Sequence, residues 1–162
     1  MVAEDRWELD YAETRDDLVR FLEAPSHALM SLATSHNDRV LVRTISVVAD
    51  GLDIYFFTWG GSRKCEQIRA NPKVALCGDR YQVEGTAEVL GDLFSEHNAP
   101  HVERFRRKLP GAIEAWEKRP GMVLVKVRAT AAVIAGPPGE EPHLAFLDLI
   151  REASHAERWA HH

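Results

Sequence analysis

Residues 55–73 have the sequence YFFTWGGSRKCEQIRANPK, and the rest of the chain is organised around them. The pattern indicates an apolar strand, a glycine turn and a short helix. Gly60 and Gly61 are expected to supply the positive φ angles that a tight strand-to-helix turn often needs. Ser62 is a favoured N-cap residue, and Asn71 with Pro72 ends the helix. The strand should therefore deliver the chain directly into the first turn of a helix.

The first turn of this helix is basic. Arg63 and Lys64 oppose the helix dipole there, whereas a purely structural helix more often has Asp or Glu at its start. Free backbone N–H groups, these two cations and the hydroxyls of Thr58 and Ser62 together suit an anion such as phosphate. The alternative is a capped surface helix without a ligand.

Composition excludes several classes of protein. With 162 residues, we predict a single domain over residues 1–162. Hydrophobic residues make up 45% and charged residues 28%, and the net charge of −5 argues against a nucleic-acid-binding surface. No apolar run approaches the roughly 20 residues that cross a bilayer, so no membrane partner is expected. Two cysteines, Cys65 and Cys77, without a CxxC motif or secretory signal, favour a reducing cytoplasm.

The N-terminal region, residues 1–25, is predicted to contain a helix. Thr14 followed by Asp17 resembles a capping box, and Pro25 ends the run. The apolar residues on one face of this helix are Leu18, Phe21 and Leu22.

Six later segments have the pattern of β-strands: His27–Thr34, Arg39–Ala49, Leu52–Thr58, Lys73–Cys77, Tyr81–Val89 and Met122–Ile134. Hairpins join most of them, and helices follow the third and fifth. This order predicts a mainly β protein with flanking helices, built as a six-stranded antiparallel barrel. The C-terminal tail, residues 137–162, has apolar spacing from His143 to Trp159 that favours a helix. No GxGxxG or Walker sequence is present.

Arg43 lies among aliphatic residues of its strand and needs an anionic or hydrogen-bonding partner. A structural salt bridge is one explanation. Asp50-Gly51 predicts a tight hairpin turn, which would pair Arg43 with Thr58. Both residues would then lie beside Lys64, so that separate features of the sequence point to one anion site.

The segments that carry these features resemble the pyridoxamine 5'-phosphate oxidase-like, FMN-binding split-barrel flavoproteins, particularly the general stress protein 26-like branch. The matching segments are LATS (32–35), VRTIS (42–46), IYFFT (54–58), SRK (62–64), QI (67–68), NP (71–72), VAL (74–76) and VEGTAEV (83–89). The resemblance implies a six-stranded split barrel that forms a homodimer, with one FMN in each of two clefts between subunits.

The resemblance also implies roles for individual residues. Arg43 and Lys64 would grip the phosphate with help from Thr58, Ser62 and Arg63. The backbone of residues 44–46 would run along the edge of the isoalloxazine ring, and the partner subunit would cover the ring. The complete set of cofactor-binding residues is then Arg43, Thr44, Ile45, Ser46, Phe57, Thr58, Ser62, Arg63, Lys64, Arg80 and Gln82. The partner subunit would supply Arg80 and Gln82, and the neighbouring Tyr81 and also Trp116 are further candidates to cover the ring from the partner.

The implied activity is hydride transfer through flavin N5 between a reduced donor and a small-molecule acceptor. The arginine and tryptophan segment that holds substrate in the true oxidase has no counterpart in residues 143–162, so vitamin B6 oxidation is not expected. Two alternatives remain open: an F420-dependent reductase of the same fold and a non-catalytic flavin-binding stress protein. The acidic tail of F420 would need further basic residues, and the run Arg104, Arg106, Arg107 and Lys108 is either such a site or a solvated helix face.

Eight histidines raise the question of a metal site. His97 and His101 have the spacing of two ligands on a helix, but Pro100 interrupts them and no HExxH motif is present, so no metal is expected. Some proteins of the resembling fold bind haem, and His143 and His155 leave that alternative open. Cys65 is expected to pack beneath its helix.

Overall fold

The computed structural model describes residues 5–158, so that residues 1–4 and the end of the tail, including Trp159, His161 and His162, lie outside the described range. The strands are β1 (Arg6–Glu8), β2 (Leu29–His36), β3 (Arg39–Ser46), β4 (Val48–Asp50), β5 (Asp53–Trp59), β6 (Lys73–Gly78), β7 (Tyr81–Asp92), β8 (Met122–Ala135), β9 (His143–Asp148) and β10 (Ala153–Arg158). The α-helices are α1 (Tyr11–Glu23), α2 (Arg63–Ala70) and α3 (Ala99–Lys108), and a 3₁₀ turn, Glu96–Asn98, precedes α3. None of these helices has the length and hydropathy of a membrane span.

The strand pairs are all antiparallel, and β8 organises them. One edge of β8 pairs with β7, while the other is divided between β5, opposite residues 122–128, and β9, opposite residues 131–135. β3 pairs with β2, and after a break at Val47 the chain continues as β4, which pairs with β5. This change of partner closes the barrel. The prediction of a mainly β, six-stranded antiparallel split barrel is therefore confirmed, with β3 and β4 together forming one of the six strands.

The core lies inside the barrel and beneath the helices. Residues on β7 alternate between buried and exposed from Tyr81 to Glu88, as a strand with one solvated face requires. α1 buries Leu18, Phe21 and Leu22, as predicted, and α2 buries Cys65 and Ile68. A second cluster beneath α3 includes Tyr55, Phe105 and Leu124. The cleft described below opens beside this second cluster.

Helix α1 begins earlier than predicted. Asp10, not Thr14, is the N-cap, since the Asp10 carboxylate accepts the Glu13 N–H at 2.9 Å. Thr14 instead donates its hydroxyl to the Asp10 carbonyl at 2.8 Å. A carboxylate at the positive end of the helix dipole is the stronger cap, and the capping-box pattern therefore placed the start four residues late.

The C-terminal tail is a β-hairpin, so the prediction of a helix there is wrong for the described residues. β9 pairs with β8 and β10, and β10 also pairs with β1. Asp148 makes the turn by accepting the N–H groups of Ile150 and Arg151 at 3.0 and 2.9 Å. Because β5 covers only the first half of one β8 edge, the remaining half needs backbone partners, and the tail supplies them.

The predicted register of the hairpin at Asp50 is wrong by two residues. Asp50 pairs with Asp53 and Val48 with Tyr55, so the turn consists of Gly51 and Leu52. Gly51 has φ +59°, the conformation that favours glycine. The predicted pair of Arg43 and Thr58 does not form, because residues 39–46 pair with β2 and only β4 pairs with β5 in this hairpin. Their proximity to Lys64 must have another cause.

Candidate functional site

A cleft of about 480 Å³ opens where β3 and β5 end and α2 begins. Its size is that of a small-molecule site. Residues on four segments line it: Arg43, Thr44, Ile45, Ser46, Phe57, Thr58, Trp59, Ser62, Lys64, Ala112, Ala115, Trp116 and Met122. The structure thus brings together all of the predicted cofactor residues except Arg63, Arg80 and Gln82.

A larger groove of about 550 Å³ lies on the outer face of the sheet formed by β2, β6 and β7. It contains none of the predicted cofactor residues. Its lining contains one cation, Lys73, and one carboxylate, Glu84, so the charges of the lining cancel. The smaller cleft is the better candidate because its charged groups lack such compensation.

Lys64 points back from the first turn of α2 toward β5. Its Nζ donates to the Thr58 hydroxyl at 2.8 Å, and Thr58 is itself buried. Desolvation lowers the pKa of Lys64, and the positive charge of Arg43 lowers it further. The two cations are therefore close enough to repel each other.

Arg43 reaches the same cleft from β3. Its Nη1 donates to the Thr34 hydroxyl at 2.7 Å and to the Leu32 carbonyl at 3.3 Å. Desolvation lowers the pKa of Arg43. Both hydrogen bonds use the same nitrogen, so the other nitrogens of the guanidinium remain for a ligand.

No carboxylate compensates this pair within residues 5–158. Neither Arg43 nor Lys64 takes part in any salt bridge there. Part-buried charges without a counter-charge are unfavourable, and the depressed pKa values express that cost. An anion bound between them would relieve it.

The turn before α2 explains how Lys64 is placed. Gly60 and Gly61 do not have positive φ angles, so that prediction is wrong. They are needed for close packing: a Cβ on Gly61 would lie 2.6 Å from the Trp59 ring, and one on Gly60 would lie 3.0 Å from a Val123 methyl group. Ser62 caps the helix as predicted, accepting the Cys65 N–H at 3.4 Å. Arg63 is exposed and outside the cleft lining.

The other end of the cleft offers backbone groups and aromatic rings. β3 pairs with β2 on one side and with no described strand on the other, so residues 44–46 present a free strand edge. Phe57 packs edge-on against Phe105, with ring centroids 5.0 Å apart. Trp59 lies nearby with 60% of its surface exposed. This end suits a flat ring with polar edges.

Four lining residues lie in or near the segment between α3 and β8. Trp116 was predicted to come from a partner subunit, but it lines the cleft of its own chain. Ala112, Ala115 and Met122 were not predicted at all. Alanine and methionine side chains have no charged or hydrogen-bonding group that would indicate a binding site in a sequence. These residues reach the cleft only because of the path that the chain takes after α3.

Arg80 and Gln82 lie outside the cleft of their own chain. Arg80 Nη1 donates to the Ala135 carbonyl at 2.7 Å, and Nη2 lies 3.6 Å from the Asp17 carboxylate. Tyr81 donates to Asp17 at 3.0 Å, and burial together with this bond raises the pKa of Tyr81 to about 12. Gln82 is exposed on β7. A role for these positions depends on a second copy of the chain.

The basic run on α3 is not part of the cleft. Arg104 pairs with Asp50 at 2.6 Å, Arg106 contacts Glu114 and Glu117, and Lys108 donates to two backbone carbonyls. Arg107 is exposed. Three of the four cations in this run thus have structural partners.

The six histidines within residues 5–158 are also outside the cleft lining. His97 is exposed, and His101 stacks on Tyr55 with ring centroids 4.1 Å apart. His143 and His155 lie on the C-terminal hairpin. In the described part of the chain, no group of three or more His, Cys, Asp or Glu is arranged to hold a metal ion.

Residues 14–133 match the family described as pyridoxamine 5'-phosphate oxidase. Comparison with curated proteins gives no match. General stress protein 26 from Bacillus anthracis str. Sterne is 20% identical, with coverage of 86% of this chain and 99% of that chain and a TM-score of 0.60. A pyridoxamine 5'-phosphate oxidase-related, FMN-binding protein from Nostoc punctiforme PCC 73102 is 14% identical, with 93% of each chain covered and a TM-score of 0.57. An F420 reductase is 26% identical over 69% of this chain and 92% of that chain, with a TM-score of 0.52.

Proposed function

The chain belongs to the pyridoxamine 5'-phosphate oxidase family, and from that premise we propose that it is an FMN-binding oxidoreductase. The observation that supports this proposal best is the pair Arg43 and Lys64. Both are part-buried, both have lowered pKa values, and neither has a carboxylate partner among residues 5–158. A phosphate monoester would supply the missing negative charge and accept hydrogen bonds from both.

Several groups around these cations would contribute to holding the phosphate. The first turn of α2 presents backbone N–H groups at the positive end of the helix dipole. Ser62 and Thr58 place hydroxyls at the same end of the cleft. We assign Arg63, which is exposed beside this turn, an auxiliary role in attracting the anion.

The chemistry that FMN supplies when bound is hydride transfer through its flavin N5. The free edge of β3 at Thr44, Ile45 and Ser46 would donate backbone hydrogen bonds to the polar side of the ring. Phe57 and Trp116 would contact the ring system and exclude water from it. The protein's contribution is thus orientation and phosphate anchoring, and no side-chain acid or base is assigned.

The proposed substrates are a reduced donor, such as a nicotinamide, and a small acceptor. The family match ends at residue 133, so it leaves the C-terminal hairpin outside. We therefore do not extend vitamin B6 oxidation to this chain. Cys65 and Cys77 are both free thiols, which is compatible with the cytoplasmic location that we propose.

We also propose that the chain forms a homodimer with the cleft at the subunit interface. β2 and β3 expose three large apolar side chains, Leu29, Val40 and Val42, by 62%, 68% and 68%. Grouped apolar residues on a surface are typical of a protein–protein interface. A second copy would cover this face and bring its Arg80 and Gln82 toward the flavin. Val40→Glu should then give a monomer in light scattering, whereas Phe94→Glu, outside β2 and β3, should remain a dimer.

The cofactor can be identified from its absorbance and mass after release from purified protein. Stripped protein should then be titrated with FMN and with F420. The F420 alternative is supported by the likeness to an F420 reductase at 26% identity. Binding of about one FMN per chain supports the proposal, whereas preferential binding of F420 would move the chain to the deazaflavin alternative.

Turnover separates an enzyme from a flavin-binding stress protein. Steady-state oxidation of NADPH with artificial acceptors should be compared between the holoprotein and the same concentration of free FMN. A rate well above that of free FMN supports an oxidoreductase. A rate equal to it would leave flavin binding as the function.

A further inference from the structure

A buried chain of hydrogen bonds leads from Arg43 back to α2. Arg43 Nη1 donates to the Thr34 hydroxyl at 2.7 Å, and Thr34 donates to Gln67 Oε1 at 2.6 Å. Gln67 Nε2 in turn donates to the Arg39 carbonyl at 3.2 Å. Thr34 and Gln67 are only 1% and 5% exposed. The chain joins β2, β3 and α2 beneath the cleft.

Chemistry fixes the direction of every bond in this chain. A guanidinium only donates, so the Thr34 oxygen must accept from Arg43. The Thr34 proton must then go to an acceptor, which is the carbonyl oxygen of the Gln67 amide. The Arg39 carbonyl fixes that amide, because only its NH₂ side can donate there. Each member therefore has one arrangement that satisfies its neighbours.

This arrangement links the two cations of the cleft. Gln67 follows Lys64 by three residues on α2 and thus lies within one turn of it. Lys64 is held to β5 through Thr58. Resting on the proposed function, we infer that Thr34 and Gln67 are positioning residues: they hold the Arg43 guanidinium in the orientation in which, with Lys64, it receives the phosphate of the cofactor. Neither residue needs to contact the cofactor.

The inference is tested by comparing FMN with riboflavin, which lacks the phosphate. Thr34→Val keeps the side-chain shape but removes the shorter of the two hydrogen bonds of Arg43, leaving the one to the Leu32 carbonyl, and also removes the donor to Gln67. We expect it to weaken FMN binding roughly tenfold, as for loss of a hydrogen bond to a charged group. Riboflavin binding should change by less than about twofold, a difference that a general loss of structure would not produce. Fluorescence quenching of each flavin gives both constants.

Thr34→Ser retains the hydroxyl and should restore FMN binding to within about twofold of the wild type. Thr14→Val, which removes a hydroxyl from α1, is the matched control and should leave both flavins unaffected. In an Arg43→Ala background, Thr34→Val should have no further effect on FMN, because the residue through which it acts is gone. A full additional loss there would overturn the inference.

The outcomes separate this inference from the proposed function. A wild-type protein that binds FMN no better than riboflavin contradicts the phosphate site itself. A wild type that prefers FMN, with a Thr34→Val variant that retains the same preference, contradicts only the positioning role. If Thr34→Val does not fold, Gln67→Met removes the acceptor of the Thr34 proton at similar volume. That variant must then lose preference for FMN over riboflavin, and an unchanged preference would overturn the inference.

Discussion

Two groups of cations in this protein look alike in sequence but differ in what surrounds them. The cleft cations, Arg43 and Lys64, have hydroxyl and carbonyl partners but no carboxylate among the described residues. The α3 cations, Arg104, Arg106 and Lys108, are held by Asp50, by glutamates and by backbone carbonyls. The first group has unused capacity to bind an anion, and the second has little.

A basic run in a sequence indicates an anion site only when its cations lack carboxylate partners in the fold. The α3 run contains more cations than the start of α2, yet its charges stabilise the structure around it. At the cleft, burial lowers the pKa of Arg43, and burial together with the charge of Arg43 lowers the pKa of Lys64. Two cations this close without a carboxylate among the described residues indicate a site for an anion.

Removing both cleft cations should have the largest effect. Arg43→Ala combined with Lys64→Ala should weaken FMN binding by at least about 2–3 kcal/mol, from lost charge-assisted hydrogen bonds to the phosphate. The matched control, Arg104→Ala with Arg106→Ala, should bind FMN like the wild type. Calorimetric titration gives the FMN affinity of both variants. Equal affinities would contradict the distinction between the cleft cations and the α3 cations.

At alkaline pH, the decrease in FMN binding should depend on Lys64. Its pKa lies below the usual 10.5, so at alkaline pH Lys64 loses its proton before an exposed lysine does, and FMN affinity should fall by roughly tenfold through that range. Lys64→Met should bind more weakly, and its residual affinity should lack this fall. Lys108, whose pKa is also lowered by burial, provides the control, because Lys108→Met should retain the fall.

Lys64 should also affect the stability of the cofactor-free protein. Here a rise in pH should increase stability, whereas it decreases FMN affinity. Between the lowered pKa of Lys64 and 10.5, the unfolded chain binds more protons than the folded chain. Stability should therefore rise with pH in that window, relative to Lys64→Met. Urea unfolding at several pH values measures this difference, and a fall in relative stability would contradict the assigned desolvation.

Lys108 should matter for stability rather than for binding. Its Nζ donates at 3.4 Å to the Leu22 carbonyl in the last turn of α1 and at 3.1 Å to the His27 carbonyl in the loop that follows. Lys108→Met should lower the free energy of unfolding by about 1 kcal/mol, because those carbonyls lose a charged donor. FMN affinity should be unchanged. A loss of FMN affinity with intact stability would place Lys108 in the cofactor site.

Arg104 should have the smallest effect. Its pair with Asp50 is part-exposed, with side-chain exposures of 34% and 54%. Arg104→Ala should lower stability by less than about 1 kcal/mol, and added salt should reduce the difference further. Urea unfolding at low and high salt tests this. A larger, salt-independent loss would mean that this pair is more than a surface contact.

Much of the cleft could be predicted because its signals are local. Ser62 marks the helix start, and the charges of Arg43 and Lys64 are conspicuous among apolar residues. The strand segments were also recognisable from their own composition. Their order predicted a six-stranded antiparallel barrel, and the resemblance to a family added that the barrel is split. The predicted pairing of Arg43 with Thr58 is wrong, because Gly51 and Leu52 make the turn.

The remaining features depend on contacts between distant parts of the chain. The apolar run 144–150 is compatible with a helix or a strand, and it becomes β9 because half of one β8 edge needs a partner. Asp50 and Arg104 pair across 54 residues, which no local pattern indicates. Likewise, Thr34 and Gln67 are unremarkable until the fold brings them beneath Arg43.

The central claim is that the cleft cations form a phosphate site. The most direct measurement is the ratio of FMN to riboflavin affinity in the wild-type protein, since the two ligands differ only in the phosphate. We expect FMN to bind at least about 30-fold more tightly than riboflavin, corresponding to about 2 kcal/mol. Equal affinities would contradict the claim and leave Arg43 and Lys64 without a ligand.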